Sequence, residues 1–171
     1  MTGVSDHLCG ATRPHFFGGV ATVVTKLLLQ ALPDMAFFGE KDFQQLQVIR
    51  RLARDLDIPV EIVGVPSVRE ADGLAMSSRN RYLTAAQRKI ASHLPALMRD
   101  LAENLRDGKP VADRLADGKQ RLLAAGFDKV DYLELCDADL VQPIAAATTP
   151  SRLFVAAFVG HTRLIDNWPV L

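Results

Sequence analysis

Met35-Ala36-Phe37-Phe38-Gly39 is a short apolar run closed by glycine, and Val60-Glu61-Ile62-Val63-Gly64-Val65, which follows Pro59, has the same character. Such runs fit strands buried on both faces of a parallel sheet. Between them the period changes. Phe43, Leu46, Ile49, Leu52, Ala53 and Leu56 recur at three- and four-residue steps, with Arg50, Arg51 and Arg54 on the other side. This spacing predicts an amphipathic helix with Asp42 as its N-cap. Strand, helix and strand with short connections form a βαβ unit, hence an α/β fold with a parallel sheet. Upstream, residues 20–32 are apolar nearly all round and end at Pro33, which predicts a buried helix stopped by proline. Residues 1–75 supply only these two strands, whereas open α/β sheets usually have about five or six. The expectation is the second half of a nucleotide-binding domain.

Residues 66–80 read as a long polar loop without periodicity, of the length at which loops are functional or linkers. From Thr84 a helical pattern runs through Ile90, Leu94, Leu97, Met98, Leu101 and Leu105, and Pro95 must kink it or start a new segment. A further helix over 111–125 ends at Gly126, a natural left-handed C-cap. Residues 130–135, 153–159 and 162–167 read as strands. Helices followed by strands predict a small α+β C-terminal domain over 76–171, with the boundary near Ala75.

The 171 residues are 49% apolar and 23% charged, so a disordered tail is excluded. Twenty Lys and Arg balance twenty Asp and Glu, and neither half has the basic excess of a nucleic-acid or acidic-membrane binder. The longest apolar run, 153–159, is far below the ~18 residues that span a bilayer. The first residues lack the layout of a signal peptide, and Cys9 and Cys136 cannot build a disulfide framework or thiolate cluster, so a reducing cytoplasm is expected. His7, His15, His93 and His161 show no metal-ligand spacing. No nucleophile elbow, Walker loop or GxGxxG run supports covalent catalysis or a known phosphate loop.

Two stretches can carry chemistry. Gly39-Glu40-Lys41-Asp42-Phe43-Gln44-Gln45 lies between the carboxyl end of a strand and the amino end of a helix, where α/β sheets bind ligands. Lys41 offers a cation to phosphate, Asp42 an acceptor to ribose hydroxyls, and Gln45 a polar hold on a substrate. On spacing alone, an N-cap aspartate beside a solvated lysine is an equal reading. The second stretch is Met76-Ser77-Ser78-Arg79-Asn80, with two hydroxyls and a guanidinium suited to a polyphosphate. A polar linker in which Ser77 or Ser78 caps a turn is the plainer alternative.

Residues 37–46, residues 63–80 and Arg163-Leu164-Ile165-Asp166-Asn167 together resemble the pantothenate synthetase family, the pantoate–beta-alanine ligases, in order and over essentially the whole chain. The resemblance implies a Rossmann-like nucleotidylyl-transferase fold, of which residues 1–75 would be the second half, and an ATP-dependent condensation of pantoate with beta-alanine through pantoyl adenylate. It implies that Lys41 meets the ATP phosphates, Gly39 and Asp42 the ribose, and Gln45 the pantoate. Met76-Ser77-Ser78-Arg79 is similar to the family's KMSKS-type loop, with Val68 and Met76 beside adenine and Ser77, Ser78 and Arg79 on the phosphates. ATP with Mg2+ is the implied cofactor set, with metal ligands outside this chain. Family members carry an upstream HIGH-type segment that nothing before Gly39 supplies, and Phe16 stands where a family histidine is expected. The chain is therefore expected to be a C-terminal portion, inactive or nearly so alone, with an exposed apolar sheet edge at 60–65 that favours a homodimer. The other readings are a non-catalytic nucleotide-binding module and a dimerising scaffold. A tRNA-synthetase-like domain is disfavoured by the balanced charge.

Overall fold

The computed structural model describes residues 3–171; Met1 and Thr2, which open the expected first domain, lie outside the described residues. The chain divides into two compact units, one of residues 3–67 with 139–142 and one of residues 68–138 with 143–171.

In the first unit a short helix α1 (Cys9–Thr12) precedes α2 (Phe16–Ala31), followed by β1 (Met35–Gly39), a 3-10 turn Glu40–Asp42, α3 (Phe43–Asp55) and β2 (Glu61–Val65). The strands pair in parallel, Ala36 opposite Ile62 and Phe38 opposite Gly64. Leu28 of α2, Leu52 of α3 and Ile58 pack against Ala36 and Ile62, so both helices serve one face of the pair. The amphipathic reading of α3 holds for Phe43, Leu46, Ile49, Leu52 and Ala53, which are buried while Arg50, Arg51 and Arg54 are exposed, but not for Leu56, which lies just past the helix end and is 54% exposed.

Three expectations need correction here. The apolar helix is not buried all round: of α2 only Phe17 and Leu28 are buried, while Val23, Leu27 and Leu29 are more than half exposed. Its neighbour α3 covers one stripe, and a helix apolar on every side needs partners on every side. For the same reason β1 is not covered on both faces, and Phe37 stands 63% exposed on the face away from the helices. Asp42 directly precedes α3, but its side chain makes no capping hydrogen bond. The 3-10 turn gives Asp42 φ −97° and ψ 53°, outside the extended geometry that aims an N-cap side chain at the first free N–H groups.

The second unit holds α4 (Ala85–Ala91), α5 (His93–Asn104), α6 (Ala112–Ala124) and an antiparallel sheet of β3 (Lys129–Asp137), β4 (Ser151–Val159) and β5 (Thr162–Pro169), in the order β3-β4-β5. Thr84 starts α4 with a full capping box, its hydroxyl accepting from the Gln87 N–H and the Gln87 side chain accepting from the Thr84 N–H. Pro95 starts a new segment: it lies in the first turn of α5, where a missing N–H costs nothing. Gly126 takes φ +103° just past α6, as the C-cap reading requires. The core is Leu94, Met98 and Leu101 of α5, Leu105 just past its end and Leu122 of α6 against Leu133, Leu135, Leu153 and Val155 of the sheet. Gly118 makes this approach possible. A Cβ there would lie 2.6 Å from Leu101 Cδ1 and 2.8 Å from Leu133 Cδ2.

β3 shifts register between Val130 and Tyr132, a bulge at Asp131. Burial opposes ionisation of Asp131, but bonds from Arg163 and Lys129, both at 2.8 Å, outweigh it and hold the carboxyl below its usual value. Cys136 is fully buried in β3, and burial, with the charges of Glu134 and Asp137, pushes its thiol up to about 12. Cys9 is half-buried. A thiol reagent at pH 8 is expected to modify Cys9 in the folded chain and Cys136 only after denaturant is added, because the thiolate is the reactive form. Mass spectrometry of the labelled peptides checks this, and equal labelling rates would contradict it.

The chain passes from one unit to the other at Ser67/Val68, ahead of the expected boundary near Ala75. Residues 68–75 belong with the second unit because Arg69 pairs with Ala75 in a bridge and with Asp166 of β5 in an ion pair. Residues 139–142, placed by sequence in the C-terminal domain, belong with the first unit, where Gln142 Nε2 donates to the Gly3 carbonyl at 3.3 Å.

Candidate functional site

In the first unit β1 delivers the chain to Gly39 at its carboxyl end, and α3 begins after the 3-10 turn. The amino end of α3, with its positive dipole end, thus lies beside Glu40, Lys41 and Asp42. Gly39 is exposed and extended, at φ −67° and ψ 130°, and a Cβ there would meet nothing within 4 Å. Its backbone is open to close approach by a ligand. The Lys41 ammonium lies 3.8 Å from the Asp42 carboxylate, and the lysine side chain is only 17% exposed against 50% for the aspartate. Most of the lysine stem is therefore packed against protein, which restricts where its charge can go.

Gln44 and Gln45 part company. Gln44 is buried, accepting from the Cys9 N–H at 3.1 Å and donating to the Val4 and His7 carbonyls at 3.0 and 2.7 Å. It ties residues 4–9 to α3. Gln45 is half-buried and its side chain makes no hydrogen bond among the described residues, so its amide is open to a ligand. At Gly64 of β2 the absent side chain makes room for Leu46, Glu40 and Arg50: a Cβ there would lie 3.0 to 3.4 Å from their side chains.

In the second unit the stretch read as an unstructured loop begins as a tight hairpin. The Met76 N–H donates to the Val68 carbonyl at 2.9 Å, Arg69 bridges to Ala75, and the Glu70 N–H donates to the Leu74 carbonyl at 2.8 Å. The turn closes with the Gly73 N–H donating to the Glu70 carbonyl at 2.8 Å, and Gly73 takes φ +84°, a left-handed geometry that favours glycine. No periodicity betrayed this hairpin because it is short and mixes charged and apolar side chains without alternation. Val68 and Met76 oppose each other across it, and both are exposed, at 63% and 55%. An exposed apolar pair at the mouth of a hairpin suits a flat aromatic ligand.

Ser77 caps the 3-10 turn Ser78–Tyr82, its Oγ accepting from the Arg79 N–H at 3.3 Å. Ser78 and Arg79 are exposed, and the Arg79 guanidinium makes no bond among the described residues. Two neighbouring cations are committed. Arg69 forks onto Asp166 at 2.7 and 3.0 Å, and Arg88 reaches Glu70 at 2.9 Å and Asp72 at 2.7 Å. Asn80 Nδ2 donates to Glu70 Oε1 at 2.6 Å and to the Ala75 carbonyl at 3.1 Å. Reading by residue type found the loop but missed this frame, since nothing local joins Arg69 to Asp166 or Glu70 to Arg88.

Among the described residues no group of three or more His, Cys, Asp and Glu comes together as a metal site. No helix among them is long and apolar enough to cross a membrane.

A sequence model of the family described as pantoate-beta-alanine ligase matches residues 1–169. The pantothenate synthetase of Paramagnetospirillum magneticum is 59% identical over 167 residues, which cover 98% of this chain and 59% of that protein. The crystal structure of the pantothenate synthetase of Thermus thermophilus superposes with a TM-score of 0.92 at 44% identity, covering 99% of this chain and 62% of that one. The pantoate-beta-alanine ligase of Francisella tularensis, solved as a complex with beta-gamma ATP and beta-alanine, superposes with a TM-score of 0.76 at 30% identity, covering 98% of this chain and 55% of that one. The chain thus spans about 59% of the length of a curated relative that it matches almost end to end. With its parallel βαβ unit, its antiparallel sheet and its loop motifs in family order, the chain belongs to the pantoate–beta-alanine ligase family.

Proposed function

We propose that the chain serves the ATP-dependent condensation of pantoate with beta-alanine. A pantoate carboxylate oxygen attacks the α-phosphorus of ATP, and pyrophosphate leaves with the electrons of the broken P–O bond. The beta-alanine amine then attacks the acyl carbon of pantoyl adenylate, AMP leaves, and the amine loses its proton as the amide forms. Such chemistry needs alignment and charge neutralisation more than an acid–base pair.

Each unit has its part in this reading. Lys41 neutralises phosphate charge, Gly39 and Asp42 meet the ribose, and Gln45 holds pantoate. In the second unit Val68 and Met76 flank the adenine, and Ser77, Ser78 and Arg79 take the phosphates. Mg2+ arrives with ATP as part of the substrate. The observation that carries the reading is Arg79: it is exposed and unpaired among the described residues, whereas Arg69 and Arg88 beside it are matched by carboxylates. The uncovered apolar residues of α2 and β1 support a homodimer, and the balanced charge supports a cytoplasmic small-molecule enzyme without a nucleic-acid or membrane partner.

The 171-residue polypeptide by itself is proposed to be inactive or nearly so. A chimera in which it replaces the matching portion of the Paramagnetospirillum magneticum protein is the test. Pantoate-dependent exchange between ATP and pyrophosphate is expected from the chimera, with AMP release on adding beta-alanine, and none from the 171-residue chain. A folded chimera without exchange would overturn the assigned reaction; exchange by the chain alone would overturn its inactivity.

A further inference from the structure

We infer that Arg69 is a positioning residue that sets the geometry of the Ser77–Arg79 loop through its fork on Asp166. The inference rests on the reading of that loop as a phosphate site only for its functional consequence. The Asp166 side chain is fully buried in β5, and Arg69 meets both of its oxygens, Nη1 to Oδ2 at 2.7 Å and Nη2 to Oδ1 at 3.0 Å. Asp166 Oδ1 also accepts from the Asn167 N–H at 2.8 Å. Arg69 Nη1 donates in addition to the Gly73 carbonyl at 3.0 Å, and its guanidinium carbon lies 4.4 Å from the centre of the Trp168 ring. One side chain thus joins β5, the turn of the hairpin and its own strand.

Both ends of the loop hang from this hairpin. Ala75, the bridge partner of Arg69, immediately precedes Met76 and Ser77. Asn80, which follows Arg79, is held by Glu70, the neighbour of Arg69, and by the Ala75 carbonyl. A displaced Arg69 therefore moves both anchors of the exposed segment. Exposed ion pairs hold little, but a planar fork onto a buried carboxylate fixes distance and orientation together, and a lysine ammonium reproduces neither.

Arg69→Lys and Arg69→Ala in the 171-residue chain separate positioning from mere folding. Hydrogen exchange is read over residues 76–82 and over β3–β5, the melting temperature is recorded, and ATP is titrated calorimetrically. Amide exchange over 76–82 is expected to speed by about tenfold in both variants, with exchange in β3–β5 unchanged. ATP binding is expected to weaken by about tenfold in both, since lysine keeps the charge but loses the fork. Loop exchange at the wild-type rate overturns the inference, and so does acceleration spread evenly over the unit, which marks a residue that only holds the fold. Should Arg69→Ala fail to fold, Arg69→Lys decides. A wild-type chain that takes up no ATP removes the phosphate reading, while the exchange comparison still decides what Arg69 does.

Discussion

Lys41→Ala, introduced into the chimera with the Paramagnetospirillum magneticum protein, is expected to lower pantoate-dependent ATP–pyrophosphate exchange by about 10²–10³-fold, the usual effect of losing one preorganised donor at developing charge. Fold and melting temperature are expected to change little. Lys41 lies in the turn between β1 and α3, and the half-exposed Asp42 carboxylate stands 3.8 Å from its ammonium, a separation at which an ion pair adds little stability. The amino end of α3 adds a fixed positive potential in the same place, so on the proposed reading the ammonium and the helix dipole would act on one anion. Lys41→Arg keeps the charge but changes its reach, and is expected to recover part of the rate. Exchange within a factor of about two of wild type in Lys41→Ala would remove Lys41 from the reaction.

The largest stability effect is expected at Leu133. This side chain is fully buried in β3, and its Cδ2 lies 2.8 Å from where a Cβ on Gly118 would stand, at the closest approach of α6 to the sheet. Leu133→Ala removes buried methyl groups and leaves a cavity between α6 and β3 that the backbone cannot close, at a cost of about 2–5 kcal/mol. For a unit of this size, each kcal/mol lowers the melting temperature by roughly 4–8 °C. Calorimetry or circular dichroism reads the shift directly. Its contrast is Leu123→Ala on the exposed side of α6, where the side chain is 42% exposed and a change within about 0.5 kcal/mol is expected. Similar losses at both positions would contradict the packing described for α6.

Where sequence and structure agree, the signal was periodic or stereochemical. The three- and four-residue spacing from Phe43 to Ala53 marks the buried stripe of α3, Gly126 supplies the left-handed cap of α6, and Pro95 sits in the first turn of α5. Burial was harder to read. Apolar composition cannot say which neighbours are present, so Phe37 and Leu27 look like core residues and stand exposed. The same limit hid the hairpin at 68–76. Its strands are too short to show alternation, and its stability comes from Arg69–Asp166 and Glu70–Arg88, pairs far apart in sequence.

The candidate site was legible as residue types and not as geometry. Lys41 and Gln45 could be named because they stand where a strand's carboxyl end meets a helix's amino end, and the Ser77–Arg79 loop because its hydroxyls and charge stood in a segment without core periodicity. Nothing in residue order showed that Gln44 is a structural tie while Gln45 is open, or that Arg79 is unpaired among the described residues where Arg69 and Arg88 are not. Those distinctions depend on which groups the fold brings within hydrogen-bond distance, and they separate residues that hold the loop from residues free to meet a ligand.

That Arg79 serves phosphate recognition is tested most directly by titrating ATP, AMP and adenosine into the chain and into Arg79→Ala. The expected result is tighter binding of ATP than of adenosine by wild type, with that preference reduced by about 10–100-fold in Arg79→Ala, as the loss of a charge-assisted bond of ~1.5–3 kcal/mol implies, while adenosine binding is unchanged. An ATP preference equally strong in Arg79→Ala, or a wild-type chain indifferent to the phosphates, would contradict it.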